Sequence, residues 1–186
     1  MAEIRITGGE LRGRKLYVPK AGVRPTTGRV REAIFSMLGS VDGARVLDLF
    51  CGSGALGIEA LSRGASEAVF VDEKTAAVTR NLEDLGISHP DSGWSRRVIK
   101  SDVDAFLWSQ PFIEPEARYE VVLCDPPYTL AADLARGLDH LLPGSVRDGG
   151  RVVVETSTRD PLSLSMDLIK EREYGDTLVR IYGDGQ

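Results

Sequence analysis

An α/β fold, with a mostly parallel sheet covered on both faces by helices, is what this chain of 186 residues predicts. Three observations predict it. Five short strand-like runs alternate with stretches of helical spacing between Arg45 and Glu155, and right-handed crossovers turn such a rhythm into a parallel sheet. A glycine-rich turn, Gly52-Ser53-Gly54, directly follows the first of those runs. The rhythm then breaks after Glu155, where two further strand-like stretches flank Tyr174-Gly175-Asp176. One strand of that terminal hairpin must run antiparallel to the others.

Taken in order, residues 3–18 alternate loosely around Gly8-Gly9 and Gly13, a pattern of short strands and tight turns. Thr26-Thr27 then precedes Val30, Ala33, Ile34, Met37 and Leu38, a helical spacing with a threonine cap and Gly39 as terminator. Val46-Leu47-Asp48-Leu49-Phe50 is the first buried strand, and Ala55 to Ser62 the helix behind the glycine turn, stopped near Gly64. Ala68-Val69-Phe70-Val71 is the second strand, with a helix from Lys74 to Leu85 closed by Gly86 and a polar loop from His89 to Gly93. Arg97-Val98-Ile99 is the third, followed by a helix from Val103 to Trp108. Tyr119 to Cys124 is the fourth, with a helix over Leu130 to Leu141, and Arg151-Val152-Val153-Val154-Glu155 the fifth. Ser165 to Glu173 and Thr177 to Tyr182 make the terminal hairpin.

Forty-two per cent hydrophobic and 27% charged residues describe an ordinary globular chain with enough apolar content for one substantial core. No apolar stretch approaches the ~18 residues of a membrane span, and Met1-Ala2-Glu3-Ile4-Arg5 has no signal-peptide core. Two cysteines and two histidines, in no ligand spacing, argue against a disulfide framework and a zinc site. No metal is expected, and the expected compartment is the cytoplasm. The net charge of −5 speaks against a polyanionic partner, but its distribution does not. Residues 1–31 hold eight basic residues against two acidic, a net +6, leaving −11 for the rest. Such asymmetry suggests that one end of the molecule meets a polyanion. A solvated basic hairpin without a partner is the plainer alternative.

Asp125-Pro126-Pro127-Tyr128 follows the apolar run Val121-Val122-Leu123-Cys124. Consecutive prolines fix φ near −65° and forbid a continuing strand or helix. The stiffened loop can present Asp125 and the Pro126 carbonyl as convergent acceptors beside the flat face of Tyr128, which suits a planar amino group on a nucleobase. It can equally be a rigid turn whose Asp caps the next helix.

The ligand of the glycine turn needs a second argument. Gly52-Ser53-Gly54-Ala55-Leu56-Gly57 matches G-x-G-x-x-G, and Asp72 lies 20 residues beyond Gly52. On that motif alone the site is a dinucleotide site with Asp72 on a ribose hydroxyl. Asp48, inside the strand that feeds the turn, argues otherwise, because a pyrophosphate at a helix N-terminus wants no nearby anion. Two unit charges ~6 Å apart at an effective dielectric of ~20 repel by roughly 3 kcal/mol. An acid there suits a ligand with a ribose, an ammonium or sulfonium and no phosphate, which describes S-adenosylmethionine. Asp48 can instead bond the backbone N–H groups of the turn, and the two roles are compatible. Asp48, Asp72, Asp102 and Asp125 all lie at or just before carboxyl ends of strands, where open α/β sheets bind ligands.

These residues, in this order, resemble the Rossmann-like S-adenosylmethionine-dependent methyltransferases that act on exocyclic amines. Two amino-terminal blocks, Arg5-Ile-Thr-Gly-Gly-Glu-Leu-Arg-Gly-Arg-Lys-Leu16 and Arg24-Pro-Thr-Thr-Gly-Arg-Val-Arg-Glu32, narrow the resemblance to the RsmD family of bacterial 16S rRNA guanine-N2 methyltransferases. The resemblance covers almost the whole chain and thins after about Glu155. It implies a seven-stranded, mostly parallel sheet with an antiparallel carboxy-terminal hairpin, preceded by a small β-hairpin and helix extension. Residues 1–38 would then be an RNA-binding extension and 39–186 the methyltransferase domain. An acid usually stands in the family where this chain has Gly28.

The resemblance also implies roles. Asp125, Pro126, Pro127 and Tyr128 would form the catalytic edge. Thr26, Asp48, Gly52, Gly54, Asp72, Glu73, Asp102 and Val103 would hold the cofactor, with Asp72 on the ribose, Asp102 on the adenine amine, and Arg24 or Thr26 closing over it. Arg5, Arg12, Arg14, Lys15, Arg24, Arg29 and Arg31 would contact RNA phosphates. The implied partner is 16S rRNA within the small ribosomal subunit or an assembly intermediate, met by a monomer with no membrane involved. A DNA or RNA adenine-N6 methyltransferase is the nearest alternative, since the same tetrapeptide serves that amine. Against it, no separate target-recognition segment of useful size lies between the motifs. A nicotinamide-dependent oxidoreductase built on the glycine motif and a non-catalytic RNA-binding protein are the others. Cys124 reads as a small buried hydrophobe rather than a nucleophile, and Cys51 ends a strand beside it. Trp94, Trp108 and Phe106 read as packing residues, and His89 and His140 carry no assignment.

Overall fold

A computed structural model describes residues 2–19, 26–87, 93–109, 118–127 and 132–183. The chain opens with an antiparallel pair, β1 (Ala2–Arg5) and β2 (Lys15–Val18), followed by helix α1 (Gly28–Leu38). The expected threonine cap is Thr27, whose hydroxyl accepts from the Val30 N–H, and Gly39 ends the helix at φ 82°. Then come β3 (Arg45–Leu49), α2 (Ala55–Ser62), β4 (Glu67–Asp72), α3 (Ala76–Asp84), β5 (Ser95–Lys100), α4 (Val103–Trp108) and β6 (Tyr119–Cys124). The chain closes with α5 (Ala132–Ser145), β7 (Val146–Ser157), β8 (Leu168–Tyr174) and β9 (Thr177–Gly183). The loop expected at His89 and the helix start expected at Leu130 fall outside the described residues.

Seven strands form one sheet in the order β5-β4-β3-β6-β7-β9-β8. β3 pairs parallel with both β4 and β6, and β6 parallel with β7. β9 pairs antiparallel with β7 and with β8, so the terminal hairpin inserts its second strand and leaves its first at the edge. This is the α/β architecture that the alternating pattern and its break predict. Strand order reverses on either side of β3, which leaves a crevice at the carboxyl ends of β3 and β6, the usual ligand position in such sheets.

Two apolar layers flank the sheet. One gathers α1, α2 and α3 through Ile34, Phe35, Ile58, Leu61, Val78 and Leu82, and it includes Ile6, Leu11 and Leu16 of the amino-terminal segment. The other packs Phe106 and Leu107 of α4 and Leu138 and Leu142 of α5 against Leu47, Leu49 and Val122. The amino-terminal segment therefore shares the core of the sheet. Alternation along β3 sends Val46 to the first layer and Leu47 and Leu49 to the second. Cys51, two residues beyond β3, and Cys124, the last residue of β6, belong to opposite layers and are both free thiols. Trp94 packs against the first layer and Phe106 is buried, but Trp108 is 57% exposed beside the His140 ring, contrary to a packing role.

Gly28 is the first residue of α1, whose opening turn contains no acid. A Cβ at this position meets only Thr7 Cγ2 at 3.6 Å and Arg31 Nη2 at 3.8 Å, ordinary contacts. Gly28→Asp removes a flexible residue from a helix and places an anion at its positive end, so it should stabilise by about 1 kcal/mol and raise the thermal midpoint by roughly 2–4 °C. A midpoint at or below that of the parent chain in a calorimetric scan contradicts this.

Candidate active site

The crevice is built on the glycine turn between β3 and α2. Phe50 leaves β3 with φ 56°, unusual for a residue with a side chain, and the Gly54 N–H closes the turn on the Cys51 carbonyl at 2.7 Å. Gly54 sits at φ 76°, and a Cβ there would lie 2.5 Å from Val78 Cγ2, so both conformation and space demand glycine. A Cβ on Gly52 meets nothing nearer than the Phe50 carbonyl at 3.9 Å; its side faces the open approach to the turn. Gly57 serves another purpose. A Cβ there would lie 2.4 Å from the Phe70 ring, so its absence lets α2 lie close on the sheet.

Asp48 is not a surface of this crevice. It is 1% exposed, and its Oδ2 accepts from the Gly57 N–H at 2.9 Å. Gly54 has no side chain with which to cap α2, and Asp48 does that work from beneath. Of the alternative role of Asp48, bonds to the backbone N–H groups of the glycine turn, the structure shows one bond, to the Gly57 N–H in the first turn of α2. At 1% exposure the side chain supports that helix start and does not line the crevice. Burial, reinforced by the carboxylates of Asp125 and Asp72, pushes its pKa up to about 8. It therefore carries little negative charge at neutral pH unless a cation sits nearby, which weakens the case against a pyrophosphate.

Asp72 ends β4 at the rim, half-buried. Its Oδ2 accepts from the Gly52 N–H at 2.9 Å and its Oδ1 from the Lys74 N–H at 2.8 Å. Each oxygen retains acceptor capacity toward the crevice, and Glu73 beside it is exposed. Asp102 caps α4, accepting from the Ala105 N–H at 3.0 Å, and is exposed, whereas Val103 is buried in the core. The glycine turn is also held from behind. Buried Asn81 on α3 donates to the Ser53 carbonyl at 2.8 Å and to the Tyr17 carbonyl at 2.9 Å, and accepts from the Tyr17 N–H at 2.7 Å. One side chain thus ties the amino-terminal hairpin to the turn.

Asp125 follows β6 and is half-buried, with Pro126 buried and Pro127 exposed. Register places Cys124 opposite Leu49, so Asp125 and the glycine turn leave adjacent strands on the same rim. Asp125 Oδ2 accepts from the Thr26 hydroxyl at 3.2 Å, and the same hydroxyl lies 2.9 Å from Glu155 Oε2. Thr26, expected over the cofactor, is nearly buried, and its hydroxyl lies between these two acids. Burial pushes Asp125 up to about 7, and burial together with the Asp125 charge pushes Glu155 up to about 8. Tyr128 and Arg24 fall outside the described residues.

Arg31, expected on RNA, is 0% exposed. Its Nε lies 3.4 Å from Glu59 Oε2, while Nη1 donates to the Thr26 carbonyl at 2.6 Å and Nη2 to the Arg5 carbonyl at 2.5 Å. A guanidinium with its donors turned inward cannot meet a phosphate, so Arg31 is corrected to a structural residue. Glu59, also fully buried, further accepts from Arg63 Nη2 at 2.8 Å, the Thr7 N–H at 3.2 Å and the Thr7 hydroxyl. Arg5, Arg12, Arg14, Lys15 and Arg29 are exposed.

Sequence reasoning missed Glu155, Glu59 and Asn81. Glu155 carried a usable signal, because it ends the fifth parallel strand on the same rim as the four named aspartates. Glu59 and Asn81 sit within helical patterns that carry no such mark. Burial pushes both cysteine thiols upward, so neither is a thiolate at neutral pH. Among the described residues no group of three or more His, Cys, Asp or Glu side chains is placed to hold a metal ion.

The sheet order, the glycine turn and an acid at each neighbouring strand end define a Rossmann-like S-adenosylmethionine-dependent methyltransferase. The residues fit that cofactor: an open approach at Gly52, remaining acceptor capacity on Asp72, and an exposed Asp102. A family model described as conserved hypothetical protein 95 matches residues 4–183. The ribosomal RNA small subunit methyltransferase D of Escherichia coli K12 is 35% identical over 187 residues, covering 97% of this chain and 89% of that protein. The protein of the same name from Haemophilus influenzae is 36% identical, covering 97% and 93%. A solved structure from Thermus thermophilus superposes with a TM-score of 0.78 at 33% identity, over 97% of this chain and 99% of that one. The chain belongs to the RsmD-like family of bacterial 16S rRNA methyltransferases.

Two measurements check this account of the site. Arg31→Ala leaves buried Glu59 short of a partner and the Thr26 carbonyl without its donor, and should cost about 3–5 kcal/mol in urea unfolding. A loss under about 1 kcal/mol would show that the pair does not organise the segment. Asp48, Asp125 and Glu155 have folded-state pKa values above the ordinary carboxyl range. The folded state therefore keeps protons that the unfolded chain has released, and stability falls as pH rises from about 4 toward about 8. Asp48→Asn keeps an acceptor for Gly57 and removes one such group. Its gain in stability should be larger at pH 8 than at pH 5; equal gains at both would refute the assignment.

Proposed function

We propose that this chain transfers a methyl group from S-adenosylmethionine to the exocyclic N2 of a guanine in 16S rRNA of the small ribosomal subunit. The observation that carries the reading is Asp125, held at the end of β6 beside the glycine turn and followed by two prolines. The ribosomal RNA named for the relatives and the resemblance of the amino-terminal blocks supply the substrate class.

The N2 of guanine is a poor nucleophile because its lone pair is delocalised into the ring. Asp125 and the Pro126 carbonyl accept hydrogen bonds from its two N–H groups, which favours a pyramidal nitrogen and frees the lone pair. Pro126 and Pro127 keep the two acceptors in place. Such positioning is worth up to about 7–11 kcal/mol in well-oriented systems. When bound, S-adenosylmethionine supplies an electrophilic sulfonium methyl, with Gly52 at the methionine part, Asp72 and Glu73 toward the ribose, and Asp102 toward the adenine. Exposed Arg5, Arg12, Arg14, Lys15 and Arg29 give the amino-terminal hairpin and α1 the charge to track phosphates. Loss of the proton from the methylated amine goes to Asp125 or to water.

The test is transfer of labelled methyl from S-adenosylmethionine to small subunits lacking the modification, with the product nucleoside identified. N2-methylguanosine is expected, and Asp125→Ala should lower the rate by at least about a hundredfold, a loss of about 2.7 kcal/mol in transition-state stabilisation. N6-methyladenosine as product would transfer the reading to an adenine methyltransferase. Tight NADH binding without a response to S-adenosylhomocysteine would end it altogether.

A further inference from the structure

Glu155 belongs to none of the roles assigned so far. It stands near the carboxyl end of β7, the neighbour of β6, and is 2% exposed. Its Oε2 lies 2.9 Å from Thr26 Oγ1, while Asp125 Oδ2 lies 3.2 Å from the same atom. A threonine hydroxyl carries one hydrogen and can donate to only one of these oxygens. The second contact is favourable only if that carboxyl carries a proton and itself donates to Oγ1. Two ionised carboxylates facing one hydroxyl would leave an oxygen–oxygen contact without a hydrogen, and two like charges in a poorly solvated place.

The position of the proton follows from burial. Asp125 is half-buried, whereas Glu155 is 2% exposed, so the proton is better placed on Glu155. The charged groups around the pair lie on three elements. Arg31 from α1 faces Glu155, but its charge is shared with Glu59. A charge on Asp125, beyond β6, disfavours ionisation of both Glu155 and Asp48 on β3, and so favours a proton on each.

We infer that Glu155 is a positioning residue for the amine-binding edge. Protonated, it donates to the Thr26 oxygen, aims the Thr26 hydrogen at Asp125, and so keeps Asp125 an oriented carboxylate for the substrate amine. No covalent bond is made or broken in this role. The upward-displaced pKa of both carboxyls agrees with one proton shared by the pair. The carbonyl of Thr26 is fixed by Arg31, so the hydroxyl reaches both acids from an anchored backbone. The inference rests on the reading of Asp125 as the amine acceptor.

Methyl transfer to small subunits, followed from pH 6 to pH 10 for the parent chain, Glu155→Ala, Glu155→Gln, Thr26→Val and Asp125→Ala, tests it. Calorimetric binding of S-adenosylhomocysteine to each variant reports an intact fold. Glu155→Ala and Thr26→Val should lower kcat by about tenfold or more with KM for the subunit little changed, the signature of an interaction that matters beyond ground-state binding. Glu155→Gln, whose amide can still donate to Thr26, should restore most of the rate that Glu155→Ala loses. It should also lack the decline in rate at alkaline pH that the parent chain shows as Glu155 ionises. Undiminished kcat in Glu155→Ala, or the same alkaline decline in Glu155→Gln as in the parent, overturns the inference. If Asp125→Ala loses activity while Glu155→Ala does not, only this inference falls. If Asp125→Ala keeps full activity, the amine-edge reading falls with it.

Discussion

The buried pair of Arg31 and Glu59 is the interaction on which the arrangement of this molecule depends. Glu59 projects from α2, the helix that the glycine turn launches, and Arg31 from α1, the helix that ends the amino-terminal extension. Through its remaining donors Arg31 holds the carbonyls of Arg5 and Thr26. A charge removed so completely from water is stable only when its hydrogens are met. Meeting them pulls three separate stretches of chain to one point. Thr26 is thereby delivered to Asp125, and the amino-terminal segment becomes part of the strand-end rim.

The rim itself is an accumulation of carboxyl groups at strand ends, each kept for a different reason. Asp48 caps α2 from below, Asp72 braces the glycine turn, Asp102 caps α4, and Asp125 and Glu155 share the Thr26 hydroxyl. Burial raises the three most enclosed of them toward neutrality. A site that expects a cationic cofactor can tolerate this, because the incoming positive charge offsets the cost of ionising them. The same acids lower the stability of the ligand-free protein at alkaline pH, a familiar consequence of building function into a core.

Much of this was legible in the chain. Alternating runs disclosed the parallel sheet, the break after Glu155 disclosed the antiparallel strand, and α2, α4 and β6 begin and end where spacing places them. Local chemistry decides these features, since periodicity, caps and glycine turns act within a few residues. Arg31 shows where such reading fails. In sequence it is one more base in a basic segment, and its burial depends on Glu59, 28 positions away. The partners of the Thr26 hydroxyl were equally hidden, because Asp125 and Glu155 reach it from 99 and 129 positions away.

By itself, then, the sequence determined the fold class, the glycine turn, the strand-end acids and the stiff Asp125-Pro126-Pro127 segment, since each is a short-range consequence of residue type. Only the tertiary structure decided which charges face water and which are enclosed. It turned Arg31 inward, enclosed Asp48 beneath the start of α2, and brought Glu155 to the hydroxyl that Asp125 also meets. The physical reason is that burial and pairing are properties of contacts between distant segments. A side chain's charge can be read from its letter, but what that charge costs depends on the groups folded around it.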